Sequence, residues 1–342
     1  MGKRVMILAG GTGGHVYPAL AVARRLMAQG HEVSWMGTRR GLEARVVPAA
    51  GIAIEWLSVS GVRGKGWRST LQAPFMLLKA LMQAGSIMRS LRPDVVLGIP
   101  LILHEQNRVP GTTNRLLARW ANVVLEAFPG SFPSATGARC TGNPLRDEIA
   151  ALALSPPCEP VSESLKILVV GGSLGAQVLN RTLPPALAAI GQPCSIRHQT
   201  GEAMRKETEA LYAEVGLEAK VDAFVDDMAA AYAWADLAVC RSGAMTVSEL
   251  AAAGLPAILV PYPHAIDDHQ TANANFLADA GAAVVMSQSE LTPQILAQTI
   301  KNVLTPQSRL ADMADRARSR ACPDATETVA AICIDNARTP SL

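Results

Sequence analysis

Arg241-Ser242-Gly243-Ala244-Met245-Thr246-Val247-Ser248-Glu249 is the stretch on which the reading of this chain turns. It follows an apolar run, Leu237 to Cys240, with the length and composition of a buried strand. It leads into Leu250-Ala251-Ala252-Ala253, helical in composition, with Gly254 and Pro256 as stop signals. A strand, a small-residue turn and a helix start therefore follow one another. A helix start presents unpaired backbone N–H groups and the positive end of a dipole, which suits a phosphate. Glu249 stands one turn inside, where a carboxylate reaches two neighbouring hydroxyls of a sugar. The same pattern also describes a capped helix of a parallel sheet, with Ser242 or Thr246 as cap and Glu249 in a capping role. Both readings stay open at this point.

Two other places repeat the strand, Gly-rich turn and helix order. Val5 to Ala9 runs into Gly10-Gly11-Thr12-Gly13-Gly14-His15 and a helical stretch, Val16 to Gln29. Lys166 to Val170 runs into Gly171-Gly172-Ser173-Leu174-Gly175-Ala176-Gln177 and a helix, Val178 to Ile190. Such turns let backbone approach a diphosphate, but the glycine spacing is not that of a dinucleotide fingerprint, so no NAD is expected. His15 opens its helix, whose positive end disfavours the imidazolium. It reads either as a neutral base or as a plain hydrogen-bonding group. Further strands are expected at Val33–Gly37, Ile52–Leu57, Ser195–Gln199, Ala219–Phe224 and Ala257–Val260. The fold class is α/β, with two facing Rossmann-like doubly wound domains across a cleft. The expected boundaries are 1–150 for the first domain, 151–164 for a Pro-rich linker and 165–322 for the second. A last helix, 323–338, is expected to pack back on the first domain.

The chain has 342 residues, 49% hydrophobic and only 4% aromatic, which suits parallel strands buried on both faces. Its net charge of +2 hides an asymmetry. Residues 1–150 hold 18 Lys and Arg against 8 Asp and Glu, a net +10, and the remainder holds 13 against 21, a net −8. The basic half implies an anionic partner, a phosphorylated ligand or an anionic membrane surface. No basic run with interleaved aromatics points to nucleic acid. The six cysteines show no metal or redox spacing and read as reduced packing residues of a cytosolic protein. No leader is visible and no apolar run is long enough to span a bilayer. Leu71 to Leu91 reads as a helix with Phe75, Leu78 and Leu81 on one stripe, either core-facing or dipping into an anionic bilayer surface.

One junction is anomalous. Asp94-Val95-Val96-Leu97-Gly98 reads as a strand and Pro100 to His104 as another, with only Ile99 between them. Parallel neighbours need a crossover of about a dozen residues or more. Beyond it, His104-Glu105-Gln106-Asn107 leaves a strand end, where α/β proteins place ligand groups. Arg146 follows a turn and reads as a phosphate clamp or a solvated surface group. Phe224-Val225-Asp226-Asp227-Met228 ends a strand in a turn that could present backbone to a flat base, and Pro263 to Gln270 is a polar loop with no convincing metal pattern.

Taken together, Gly10 to His15, His104 to Asn107, Gly171 to Ala176 and Arg241 to Glu249 closely resemble the motifs of the MurG family, bacterial N-acetylglucosamine transferases of peptidoglycan synthesis. The resemblance runs over nearly the whole chain. It implies the GT-B architecture and inverting transfer of N-acetylglucosamine from UDP-N-acetylglucosamine to the 4-hydroxyl of lipid I, giving lipid II. It also implies no metal or other cofactor, a peripheral place on the cytoplasmic face of the inner membrane, and contact with cell-wall synthesis proteins. Carried over by residue, it puts Val225 on the uracil through backbone and Glu249 on the ribose. Ser173, Arg146 and the turn Ala244, Met245, Thr246, Val247, Ser248 fall on the diphosphate. Gln270 and Asn107 hold the N-acetylglucosamine ring. Thr12, Gly13 and Gly14 line the cleft, and His15 is the candidate base. The resemblance also favours the membrane reading of Phe75, Leu78 and Leu81. The chain departs from the family at Gly98–Ile99, where a second Gly-rich loop and a helix are absent. UDP-sugar binding is therefore expected to survive better than transfer. A UDP-N-acetylglucosamine 2-epimerase and an inert UDP-sugar binder stand as alternatives.

Overall fold

The computed structural model describes residues 2–10, 13–39, 41–58, 82–91, 93–96, 101–154, 164–171, 176–306 and 308–337. Thr12, Phe75, Leu78, Leu81, Ser173, the Gly98–Ile99 junction and most of the expected linker lie outside these residues.

In chain order the first elements are β1 (Arg4–Leu8), α1 (Gly13–Ala28), β2 (Glu32–Gly37), α2 (Glu43–Ala49), β3 (Ala53–Trp56), α3 (residues 82–91) and β4 (Val95–Val96). Then come β5 (Ile102–Glu105), α4 (Thr112–Leu117), β6 (Val123–Glu126), β7 (Arg139–Cys140) and α5 (Asp147–Ala150). The second half holds β8 (Leu165–Val170), α6 (Gln177–Ile190), β9 (Cys194–Gln199), α7 (Arg205–Glu214), β10 (Ala219–Asp222), α8 (Met228–Trp234), β11 (Leu237–Cys240), α9 (Ala244–Ala253), β12 (Ala257–Leu259), α10 (His269–Ala278) and β13 (Ala283–Val285). Three helices close the chain: α11 (Pro293–Leu304), α12 (Ser308–Arg318) and α13 (Ala325–Asp335).

Every strand pair is parallel. One sheet has six strands in the order β10-β9-β8-β11-β12-β13, and the others read β3-β2-β1-β4 and β5-β6-β7. The central strands β8 and β11 are almost wholly apolar and buried, as both faces of a helix-covered parallel sheet require. Two cores flank the six-stranded sheet: Val247, Leu250 and Leu277 on one side, Leu179, Leu183, Leu296 and Ile300 on the other. In the first half, Trp35 is fully buried and its indole N–H donates to the Ala9 carbonyl at 2.9 Å, pinning the end of β1. The last helix returns to this half. Val329, Ala330 and Cys333 of α13 pack with Val16, Leu20 and Leu26 of α1, and Glu327 bonds Gln29 and Arg25.

The anomalous junction resolves into two sheets. Among the described residues β4 pairs with β1, through Val5–Val95 and Met6–Val96, whereas β5 pairs with β6. Five residues, 97–101, are too few to carry the chain over a helix and back into the adjacent slot. The short strands β7 and β13 and the helices α7 and α8 were not anticipated. β7, of two residues, carries too little pattern to read. The cysteines need one correction: Cys240 and Cys333 are buried packing residues, but Cys140 and Cys322 are exposed.

Candidate active site

The site is built on the end of β11. Helix α9 starts at Gly243, whose φ of −61° and ψ of 146° place it just outside the helix, and no side chain caps it. This corrects the capped-helix reading. Ser242 is fully buried with its hydroxyl unpartnered, Thr246 does not cap, and Glu249 points to other partners. The first-turn N–H groups of Ala244, Met245 and Thr246 therefore have no side-chain cap as acceptor. The Val247 N–H is already bonded to the Gly243 carbonyl at 3.0 Å, and its side chain lies in the core. Ser248 Oγ donates to the Ala244 carbonyl at 3.0 Å and accepts from Asn143 Nδ2 at 3.0 Å. Arg241, which opens the stretch, is spent on structure. It donates to the carbonyls of Val260 and Pro261 and to Gln288.

Glu249 lies one turn deeper and is largely buried. Its Oε2 accepts from the Tyr232 hydroxyl at 2.9 Å, and Oε1 is 3.8 Å from Arg146. Burial pushes the carboxyl above its ordinary pKa, against the pull of the Tyr232 hydrogen bond and the Arg146 charge. Tyr232, pushed far up by its own burial and then by Glu249, keeps its proton and donates. A carboxylate with one firm donor has room for further donors. Arg146 stands at the N-cap position of α5 without a side-chain cap bond and spans Glu148 and Glu249, with its guanidinium 6.0 Å from the Tyr17 ring. Val225, on the turn before α8, is half-buried against the same core.

The first half reaches the site through the segment after β5. Glu105 is buried and accepts from the backbone and side-chain N–H of Asn107, from the Gly111 N–H and from Asn114 Nδ2. It thus folds residues 105–114 around one carboxylate. Asn107 Oδ1 accepts from Asn273 Nδ2 at 3.2 Å; Asn273 Oδ1 accepts from the Arg108 N–H at 2.8 Å, and Asn273 Nδ2 also reaches the Ser242 carbonyl. Asn273, fully buried on α10, therefore holds the two halves together beside the α9 turn. Ion pairs Arg108–Asp279 and Arg115–Asp267 lie at its rim. Gln270, on the same helix, accepts from the Tyr262 N–H at 2.9 Å.

His15 sits in the first turn of α1, and its Nδ1 is 2.7 Å from Gln106 Oε1. It lines a cavity of about 480 Å³ walled by Leu8, Val22, Leu101, Leu117 and Val329, between the ends of β1 and β5. The glycines here have internal reasons. A Cβ on Gly10 would lie 2.8 Å from the buried Glu43 carboxylate, and one on Gly13 would lie 3.1 Å from the Tyr17 ring. Gly13 and Gly14 lie inside α1. Arg146 and Glu249 meet beside the α9 turn, Asn107 is joined to that turn through Asn273, and His15 lines the cavity between β1 and β5. Asn143, Asn273, Tyr232 and Gln106 belong to the same constellation. Gln106 lies in the strand-end motif read from the sequence, and Asn273 is a polar residue on an otherwise apolar helix face; Asn143 and Tyr232 gave no comparable signal. Among the described residues no cluster of His, Cys, Asp or Glu is placed to hold a metal.

Two family models match: Glycosyltransferase family 28 N-terminal domain over residues 5–98 and Glycosyltransferase family 28 C-terminal domain over residues 166–329. Relatives named UDP-N-acetylglucosamine–N-acetylmuramyl-(pentapeptide) pyrophosphoryl-undecaprenol N-acetylglucosamine transferase include that of Methylococcus capsulatus. It is 58% identical over 355 residues, with 98% of this chain and 99% of the relative covered. That of Alkalilimnicola ehrlichii is 51% identical, with the same coverage. The crystal structure of Acinetobacter baumannii MurG is 43% identical and matches with a TM-score of 0.82, covering 97% of this chain and 99% of its own. The calicheamicin glycosyltransferase CalG4, at 17% identity and a TM-score of 0.66, shares the fold. The chain belongs to glycosyltransferase family 28, in its MurG group, and has the two-domain GT-B fold. The 355-residue alignment exceeds the 342 residues present, so at least 13 aligned positions of the Methylococcus relative have no counterpart here.

Proposed function

We propose that this enzyme transfers N-acetylglucosamine from UDP-N-acetylglucosamine to the 4-hydroxyl of lipid I, with inversion, forming lipid II. The observation that carries the reading is the uncapped start of α9 with the buried Glu249 one turn behind it. That pair suits a diphosphate joined to a ribose, in a chain 58% identical to a transferase named for these substrates.

In this reading Glu249 takes the ribose hydroxyls and the Val225 backbone meets the uracil. The N–H groups of Ala244, Met245 and Thr246, together with Arg146 and Ser173, hold the diphosphate, with Ser248 and Val247 shaping the turn behind it. Gln270 and Asn107 border the sugar ring, while Thr12, Gly13 and Gly14 line the acceptor side. The acceptor oxygen attacks the anomeric carbon from the face opposite the diphosphate. The carbon–oxygen bond to the diphosphate breaks, UDP leaves with the electron pair, and the hydroxyl proton passes to His15. Fixed N–H dipoles and Arg146 meet the charge that develops on the leaving group.

The basic first half supports a peripheral place on the anionic cytoplasmic face of the inner membrane, with Phe75, Leu78 and Leu81 as the contact. Among the described residues no helix is long and apolar enough to cross a membrane. The split between β4 and β5 favours a second reading, a chain that binds the UDP-sugar but transfers poorly. One experiment separates the readings: labelled UDP-N-acetylglucosamine with a short-chain lipid I analogue, beside calorimetric titration with UDP. Acceptor-dependent product supports the transferase. Binding without product supports the inert reading, and a folded chain that binds no UDP overturns both.

A further inference from the structure

We infer that Gln106 is a positioning residue that sets the tautomer of His15, placing the proton on Nδ1 and the free lone pair on Nε2. The inference rests on the reading of His15 as the base that accepts the acceptor's proton.

A neutral imidazole carries one proton, and the hydrogen bond made by one ring nitrogen decides what the other can do. His15 Nδ1 lies 2.7 Å from Gln106 Oε1. That amide has only one workable orientation. Its other terminal atom lies 3.2 Å from the His104 carbonyl oxygen, so it must be the donor Nε2. The reversed amide would set two carbonyl-type oxygens against each other there. Oε1 therefore faces His15 and can only accept, which obliges Nδ1 to carry the proton.

The amide itself is anchored. The Gln106 carbonyl accepts from Asn143 Nδ2 at 3.1 Å, and that nitrogen also donates to Ser248 Oγ at 3.0 Å. His104, whose carbonyl sets the amide, is held in turn by the Gly142 carbonyl, 3.0 Å from its Nε2. His15 Nε2 makes no hydrogen bond among the described residues, and the side chain lines the cavity between β1 and β5. A chain of hydrogen bonds thus runs from the α9 turn through Asn143 and Gln106 to His15. A neutral amide does here what a carboxylate does in a Ser-His-Asp triad: it selects the tautomer and aims the ring.

The test is long-range ¹H–¹⁵N correlation NMR of the ¹⁵N-labelled full chain at neutral pH, with His15 assigned by His15→Ala. The expected pattern is the Nδ1–H tautomer in the parent, lost or mixed in Gln106→Met. In turnover, Gln106→Met lowers kcat about tenfold or more, within the 10²–10⁴ a positioned base contributes, and leaves KM for the UDP-sugar within about twofold. An Nε2–H tautomer in the parent, or one unchanged by Gln106→Met, overturns the inference. Full rate in His15→Ala instead sinks the base assignment while the tautomer result stands by itself.

Discussion

The two halves of the molecule solve the same problem with different success. In the second half every strand from β8 to β13 has a place in one six-stranded parallel sheet, because each return path is long enough to carry a helix. Sixteen residues, 241–256, separate β11 from β12, and 23, residues 171–193, separate β8 from β9. In the first half five residues separate β4 from β5, and among the described residues the two strands fall in separate sheets. Parallel pairing is limited less by strand composition than by the length of the crossover. The features proposed for the donor stand on the six-stranded sheet, whereas His15 lines the cavity between β1 and β5. The difference implies that donor binding and transfer respond separately to change.

The largest expected effect comes from repairing the break. Inserting the Methylococcus relative's segment between Gly98 and Ile99 should raise transfer to a lipid I analogue at least about tenfold. It should also raise Tm by several degrees, since each kcal/mol moves a domain of this size by about 2–4 °C. Calorimetric UDP affinity should stay within about twofold. A change in UDP affinity as large as the change in transfer would break the comparison.

Glu249→Gln tests the intact half. Losing charge-assisted hydrogen bonds to the ribose costs about 1.5–3 kcal/mol, so Kd for UDP should rise about tenfold to a hundredfold. Stability should not fall. Burial holds the Glu249 pKa above its ordinary value, so the folded form loses stability as pH rises from the ordinary carboxylate range through the raised pKa. The neutral amide escapes that cost. A Tm at pH 8 clearly below the parent's would show that Glu249 holds the fold rather than the ligand.

A smaller effect separates buried imidazoles from exposed ones. His198 is fully buried between Tyr212 and Asn180, and burial lowers its pKa to about 3. The unfolded chain takes up a proton near pH 6.5 that the folded chain refuses until about pH 3. Stability is therefore complete above about pH 6.5 and falls by up to about 1.4 kcal/mol per pH unit below it. His104 is shifted in the same direction by burial in the first half. Denaturant titrations between pH 7 and 5 should show the loss, and the His198 ring signals should not titrate above pH 5. Titration of His198 near pH 6 would place it in solvent contact that the structure does not show.

Much of this was legible because it rests on local chemistry. Apolar runs and Gly-rich turns located the long strands and the helix starts, with β11 read to the residue. The stretch from Arg241 to Glu249 announced a helix start suited to phosphate, and composition alone implied helices on both faces of parallel strands. The junction at Gly98–Ile99 was suspect on length alone. The glycines of the first turn were harder. Gly10 looked like a concession to a ligand, and the structure gives it a second reason in the buried Glu43.

What the chain determined by itself was therefore the set of segments, their order and their parallel sense, since periodicity and crossover length are properties of sequence. Which polar groups meet was settled only by tertiary structure. Asn273 and Arg108 are 165 positions apart, and Asn143 and Ser248 are 105 apart, yet each pair is joined by a hydrogen bond of 3.0 Å or less. Hydrogen bonds need angstrom-scale placement, and that placement comes from two packed halves. No local pattern carries it.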